Sequence, residues 1–232
     1  EKVVVLEVAG DFVDGDGRCG GCQAQTQLLE ELAALGEKLS LRTIQAGQEP
    51  DLVRTYAPAR YPATVLLGRR DHGIRFYGVT AGTEFSTLLE DILMISLGKS
   101  GLDPQLESLV SAIDRDVHIQ VMASLTCPYC PKMVRMAHQF AFVNDRIRSD
   151  MVEVAEYPEL VRAYDVKGVP RTVINEKHSF DGLVPEGRFY MEVLKGVDPE
   201  AHRSLEQALR SMEGRRKVRR PDPMHRYDVA VV

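Results

Sequence analysis

Short apolar runs alternate with amphipathic stretches along the first hundred residues of this chain. Residues 2–9 (KVVVLEVA) are an apolar run of strand length, rich in β-branched side chains. A Gly- and Asp-rich loop fills 10–18. Residues 22–35 then place Leu28, Leu32 and Leu35 at helical spacing, with Gly36 as a C-cap. Residues 39–45 alternate as a strand, 50–56 read as a short helix, and 63–67 with 74–77 read as a hairpin. Thr83 caps a helix over 84–97, whose apolar face carries Phe85, Leu88, Leu89, Ile92 and Ile95. The predicted order is β-α-β-α-β-β-α.

The pattern then starts again. After a linker at 98–102, Asp103 is an N-cap and Pro104 the first residue of a helix reaching about Ile113. A strand over 117–123, a helix over 130–143, a strand over 151–155 and a helix over 158–164 follow. A hairpin from Thr172 and a helix from about Arg188 complete the series. Residues 50–62 (PDLVRTYAPARYP) and 158–170 (PELVRAYDVKGVP) agree at six of thirteen gap-free positions, at an offset of 108. Strand 3–9 matches 117–123 when the first loop is allowed about six more residues. A period of this size predicts tandem domains, not a solenoid. The fold class expected is α/β, with one unit over 1–98 and another over 103–212. Residues 213–232 read as a basic linker (EGRRKVRR, then Pro221-Asp222-Pro223) leading to a strand at 227–232.

Composition narrows the function classes. An apolar content of 44% and a charged content of 27% are ordinary globular values. A net charge of −5 gives no reason to expect a nucleic-acid partner. No apolar run approaches the roughly 20 residues that span a bilayer, and the opening residues do not read as a secretory signal. All four cysteines fall in two Cys-x-x-Cys pairs, so none is left for a structural disulfide. That usage predicts a cytoplasmic redox or metal protein, not a secreted one stapled by disulfides.

The pairs are Cys19-Gly20-Gly21-Cys22 and Cys127-Pro128-Tyr129-Cys130, again 108 apart. At a helix N-terminus the first sulfur meets unpaired N–H groups and the positive end of the helix dipole, which favour its thiolate. The second sulfur, one turn deeper, is placed to resolve a mixed disulfide. Cys127 and Cys19 are therefore the expected nucleophiles, and Cys130 and Cys22 the resolving thiols. Tyr129 is expected to shield the sulfurs, whereas Gly20-Gly21 leaves its loop loose. Arg18 would lower the pKa of Cys19, and Asp11, Asp14 and Asp16 would oppose it. Pro62 and Pro170 each begin an apolar run. A proline at such a place marks special backbone, most simply a cis bond. A cis proline facing a dithiol offers the backbone of the preceding residue, Tyr61 or Val169, to an extended peptide substrate.

These residues carry a resemblance. With RFYGVTAGTEFSTLLEDI (75–92), TCPYCP (126–131) and EYPELVRAYDVKGVP (156–170), the chain resembles the glutaredoxin-like protein disulfide oxidoreductases. The resemblance implies two tandem thioredoxin-like folds, each a mixed sheet flanked by helices, acting on disulfide-containing proteins. Gly-Gly departs from the bulkier dipeptides of that family. Thioredoxin itself has a Trp before its dithiol and a buried Asp in the preceding strand. This chain has no Trp, and Val13 and Val121 stand six residues before the first cysteines. The tail Tyr227-Asp228-Val229-Ala230-Val231-Val232 resembles the first strand of an FAD-binding domain. This layout is similar to the flavoprotein subunit of alkyl hydroperoxide reductase. It implies no cofactor in this chain itself, FAD and NAD(P)H in a fused or partner thioredoxin-reductase-like flavoprotein, and a peroxiredoxin as electron acceptor.

Two readings come from another class, a four-cysteine zinc site and a redox-inactive interaction module. Structural zinc modules space their pairs about 12–20 apart, but Cys22 and Cys127 are 105 apart, each inside its own repeat. Asp14-Gly15-Asp16-Gly17 suggests a calcium loop, but Phe12 and Gln23 fall at ligand positions. Because the two dipeptides differ, the two dithiols should have different reduction potentials. Redox titration of Cys19→Ser and Cys127→Ser checks this, and equal potentials contradict it.

Overall fold

The structure, a computed structural model, describes residues 2–9, 19, 21–45 and 47–218, with side chains to 212. The first half contains β1 (Val3–Ala9), α1 (Cys22–Ala33), β2 (Leu39–Gln45), α2 (Pro50–Tyr56), β3 (Ala63–Leu67), β4 (Asp71–Tyr77) and α3 (Glu84–Leu97). The second contains α4 (Pro104–Ser111), β5 (Val117–Ala123), α5 (Cys130–Val143), β6 (Ile147–Glu153), α6 (Pro158–Ala163), β7 (Arg171–Ile174), β8 (His178–Asp181), α7 (Glu186–Val197) and α8 (Pro199–Val218). The α/β class and the alternation of elements agree with the sequence pattern.

The eight strands form one mixed sheet, ordered β2-β1-β3-β4-β6-β5-β7-β8. Within each half the middle strand is parallel to one neighbour and antiparallel to the other. The halves join where β4 runs parallel to β6, with Ile74 opposite Ser149 and Tyr77 opposite Val152. A separate half would leave each of these strands as an edge with unpaired N–H and C=O groups, and pairing them removes both edges. Side chains alternate across the sheet. Val3, Val5, Ile119 and Val121 face the core under α1, α3 and α5, while Leu6, Val8, Met122 and Val152 face the opposite layer.

Several boundaries differ from the pattern, among them β4, which begins at Asp71 and not at 74. The strand expected at 151–155 is Ile147–Glu153. Its polar Arg148, Ser149 and Asp150 hid it, although Asp150 is buried and paired. Arg148 Nε donates to Asp150 Oδ1 at 2.9 Å, and His118 Nε2 lies 2.6 Å from Oδ2. The helix expected from Arg188 is two helices, because Asp198 ends α7 and accepts from Ala201 N–H at 3.0 Å to start α8. α8 continues to Val218, so the basic stretch begins as helix and not as linker. α1 stops at Ala33, before Gly36. The strand at 227–232 and the 10–18 loop, with its acidic residues and Arg18, lie outside the described residues.

The halves are also tied above the sheet, where α3 meets α5. Buried Asp91 accepts from Arg135 Nη1 at 2.7 Å and lies 2.5 Å from His138 Nδ1. The His138 ring is wholly buried and meets Phe76 edge-on at 4.8 Å. Removing one partner from such a group leaves a buried charge or donor unmatched. Asp91→Ala should therefore cost about 3 kcal/mol. Urea unfolding should show it as a lower midpoint at an unchanged slope, and a loss below about 1 kcal/mol would show the cluster to be marginal.

Candidate functional site

The second dithiol lies in the turn between β5 and α5. Cys127 N–H donates to Ser124 O at 3.0 Å, which turns the chain so that α5 starts at Cys130. The two cysteines are disulfide-bonded, with Cα atoms 5.5 Å apart. Cys130 is fully buried and Cys127 is 8% exposed. Cys130 N–H donates to Cys127 Sγ at 3.1 Å, so the first sulfur receives a helix N-terminal N–H, as its expected nucleophilic role requires. Cys127 Sγ also lies 3.8 Å from Val169 O. The Val169–Pro170 bond is cis, and so is Tyr61–Pro62. Tyr129 is 60% exposed beside the dithiol. Pro128, Pro131 and Met136 line an open groove of about 1220 Å³ that runs to Leu183 and Val184.

The first half supplies part of this turn. Gly82 has φ +57°, and a Cβ there would sit 2.3 Å from Leu125 O, so both conformation and space require glycine. Thr83 makes no side-chain cap bond to its own helix. Its N–H donates to Leu125 O at 2.9 Å, and its hydroxyl lies 3.1 Å from Leu125 O and 3.2 Å from Cys127 O. The next residue, Glu84, is fully buried; Oε2 accepts from Thr87 at 2.9 Å, and Oε1 has no hydrogen-bond partner. Burial, against the Thr87 hydrogen bond and with help from Asp91, pushes its pKa up to about 7. The sequence pattern marks Thr83 as a cap and gives Glu84 no role. The signal that could have found it is an acidic residue on the inward face of an otherwise apolar helix.

The first dithiol opens α1. Cys19 and Cys22 are disulfide-bonded, with Cα atoms 5.4 Å apart, and Cys22 N–H donates to Cys19 O at 3.3 Å. A polar layer lies beneath α1. Gln25 is fully buried; its Nε2 donates to Thr64 at 2.8 Å and Thr80 at 2.9 Å, and its Oε1 accepts from Thr80 N–H at 2.8 Å. Glu7, also fully buried, accepts from Thr26 at 2.6 Å and Thr43 at 3.3 Å. Burial raises the Glu7 pKa against those two bonds. Thr26 Oγ1 lies 2.9 Å from Cys22 O, so the carboxylate is one hydroxyl away from the dithiol helix. β1 and β5 have the same burial pattern, which sets Glu7 where the second half has Val121. Glu7, and not Val13, holds the place of Val121, because the longer first loop displaces the count by six.

Among the described residues no group of three or more His, Cys, Asp or Glu is placed to hold a metal ion. No helix there is long and apolar enough to cross a membrane.

Comparison with known proteins agrees with this geometry. Residues 117–195 match the family model for a thioredoxin domain. A protein disulfide oxidoreductase from Aeropyrum pernix has a similar structure, at TM-score 0.75 and 28% identity, over 83% of this chain and 84% of that one. The N-terminal domain of the alkyl hydroperoxide reductase AhpF from Enterococcus faecalis gives TM-score 0.73 and 26% identity, over 83% and 90%. Among curated proteins, the corresponding alkyl hydroperoxide reductase of Pseudomonas aeruginosa is 28% identical over 75% of this chain and 31% of its own length. An NADH dehydrogenase of Bacillus subtilis is 26% identical over 74% and 31%. The chain thus spans about a third of the curated relatives it matches. The thioredoxin-like fold and the chemistry of thiol–disulfide exchange are borne out.

Glu84 should make stability pH-dependent. Its folded pKa of about 7 lies above the ordinary 4.5, so the folded state holds a proton that the unfolded state releases between those values. Stability therefore falls as pH rises from 4.5 to about 7, by at most about 3 kcal/mol from this residue. Glu84→Gln should flatten that part of the profile relative to wild type. Superimposable profiles would contradict it.

Proposed function

We propose that the chain is a two-site thiol–disulfide oxidoreductase in which Cys127 and Cys130 act on protein substrates. The observation that carries this reading is the position of Cys127. Its sulfur lies between the Cys130 N–H and the Val169 carbonyl, with the residue 8% exposed and its neighbour Pro128 lining the groove. An extended peptide laid along Val169 and Pro170 brings its disulfide to that sulfur. Tyr129, exposed beside the dithiol, and Leu183, which lines the groove, offer apolar contact. By the repeat, Tyr61 and Pro62, whose bond is also cis, would serve the first pair in the same way.

The exchange runs in two steps. The Cys127 thiolate attacks one sulfur of the substrate disulfide, forming a mixed disulfide and expelling the other substrate sulfur as a thiolate. Cys130 then gives up its proton to solvent or to the departed substrate thiolate and attacks Cys127 Sγ. This closes the Cys127–Cys130 disulfide and expels the second substrate thiolate. Two electrons have passed from the pair to the substrate. Cys19 and Cys22 form the second redox pair, with Cys19 as nucleophile.

The longer relatives support a reading of the electron source. In this reading the units at 1–98 and 103–212 form a relay module, and 213–232 leads toward a flavoprotein domain. FAD and NAD(P)H would be held there, electrons would re-reduce the dithiols, and a peroxiredoxin would receive them in the cytoplasm.

Reduction of insulin with dithiothreitol as donor tests the assignment. Cys127→Ser should fall to the uncatalysed rate, while Cys19→Ser should keep measurable turnover. A Cys127→Ser protein as active as wild type would overturn it.

A further inference from the structure

Gly21 lies between the cysteines of the first pair and has φ −93°, a value open to any residue. Conformational freedom therefore does not explain it. Space does: a Cβ at Gly21 would stand 2.5 Å from Glu156 Oε2 and 3.0 Å from Val79 Cγ2. Glu156 belongs to the other half, in the turn between β6 and α6. Its Oε1 accepts from Val79 N–H at 2.7 Å, and its own N–H donates to Glu153 Oε2 at 2.9 Å, so the carboxylate is held at both ends of its residue. A Cβ at Gly78 would also meet Glu156 Oε1, at 2.8 Å. The neighbouring residue makes the same crossing. Tyr157 donates its hydroxyl to Tyr61 O at 3.0 Å, the carbonyl preceding the cis proline of the first half.

We propose that the second half completes the first redox site. Glu156 is a positioning residue for Cys19 and Cys22, its carboxylate occupying the space that Gly21 leaves in their loop, and Tyr157 holds the Tyr61 carbonyl of the facing segment. This rests on the reading of Cys19/Cys22 as a redox pair and adds what sets its potential. A carboxylate beside a dithiol disfavours thiolate. Reduced forms are stabilised through their thiolates, so a charge that opposes thiolate favours the disulfide and makes the pair more reducing. The group also explains the glycine at 21: a larger residue there would displace the charge. The second pair receives no such contact from Glu156, so the effect is confined to one site.

The test is equilibration with dithiothreitol at pH 8, reading each pair separately. Cys19/Cys22 is followed in the Cys127→Ser/Cys130→Ser chain, and Cys127/Cys130 in the Cys19→Ser/Cys22→Ser chain. Glu156→Gln should shift the first pair toward dithiol by about three- to tenfold, tenfold being about 30 mV. The second pair should stay within about twofold, or about 10 mV. Gly21→Ala should also shift the first pair, and Glu156→Ala should remove the effect of Gly21→Ala, since the clash then has no partner. The positioning role is overturned if Glu156→Gln leaves the first pair within twofold, moves both pairs alike, or if Gly21→Ala acts equally with and without Glu156. A first pair that stays oxidised at every dithiothreitol concentration overturns its redox reading as well. The insulin assay on Cys127→Ser judges the second pair independently of these outcomes.

Discussion

The hydrogen-bonded seam between β4 and β6 is the constraint on which the rest of the molecule depends. A parallel ladder fixes register as well as proximity. Once Ile74 is set opposite Ser149 and Tyr77 opposite Val152, the loops beyond the strand ends have little freedom. The turn after β4 (Gly78, Val79) meets the turn after β6 (Glu156, Tyr157). Further along, Gly82 and Thr83 meet the loop that carries Cys127. The same registration brings α3 against α5, where Asp91, Arg135 and His138 share a buried charge cluster. A shift of one residue at the seam would turn the β6 side chains to the other face. It would break these contacts together.

The seam strands carry charged and polar groups as well as the apolar Ile74, Phe76, Met151 and Val152. Arg75 is bound to Asp71 at 2.8 Å and to Tyr56 O at 3.2 Å, and Arg148 pairs with Asp150 and the Tyr77 hydroxyl. Burial by itself would raise the Asp150 pKa, but His118 and Arg148 outweigh it and hold that carboxyl below the usual range. Each charge is matched, which is the condition under which buried ions are tolerated.

Most of this was legible in the residues. The strand and helix order followed from hydrophobic period, and the offset of 108 tied each dithiol to its proline. Contacts between the repeats could not be read this way. A repeat is recognised by what its copies share, whereas Glu7, Glu84 and Glu156 are features that one copy has and the other lacks. Glu7 was hidden by a loop six residues longer, which moved the comparison onto Val13. The β6 strand starts before the expected position because Arg148, Ser149 and Asp150 look like a surface turn, whereas Arg148 bonds Ala57 O and Tyr77 across the seam and Asp150 pairs with His118 and Arg148. Thr83 was recognised as a polar residue at a helix start, but its hydroxyl bonds the other half.

That last bond bears on how a tandem protein of this kind can diverge. If each half built its own site, loss of one cysteine pair would free that half to drift or disappear. Here the first half shapes the loop around Cys127 through Gly82 and Thr83. A descendant that no longer used Cys19 and Cys22 would still need the fold that once presented them, now as scaffold for its neighbour's chemistry. Duplication followed by loss of catalysis would leave a conserved, inactive half whose retention is explained by two hydrogen bonds and a glycine.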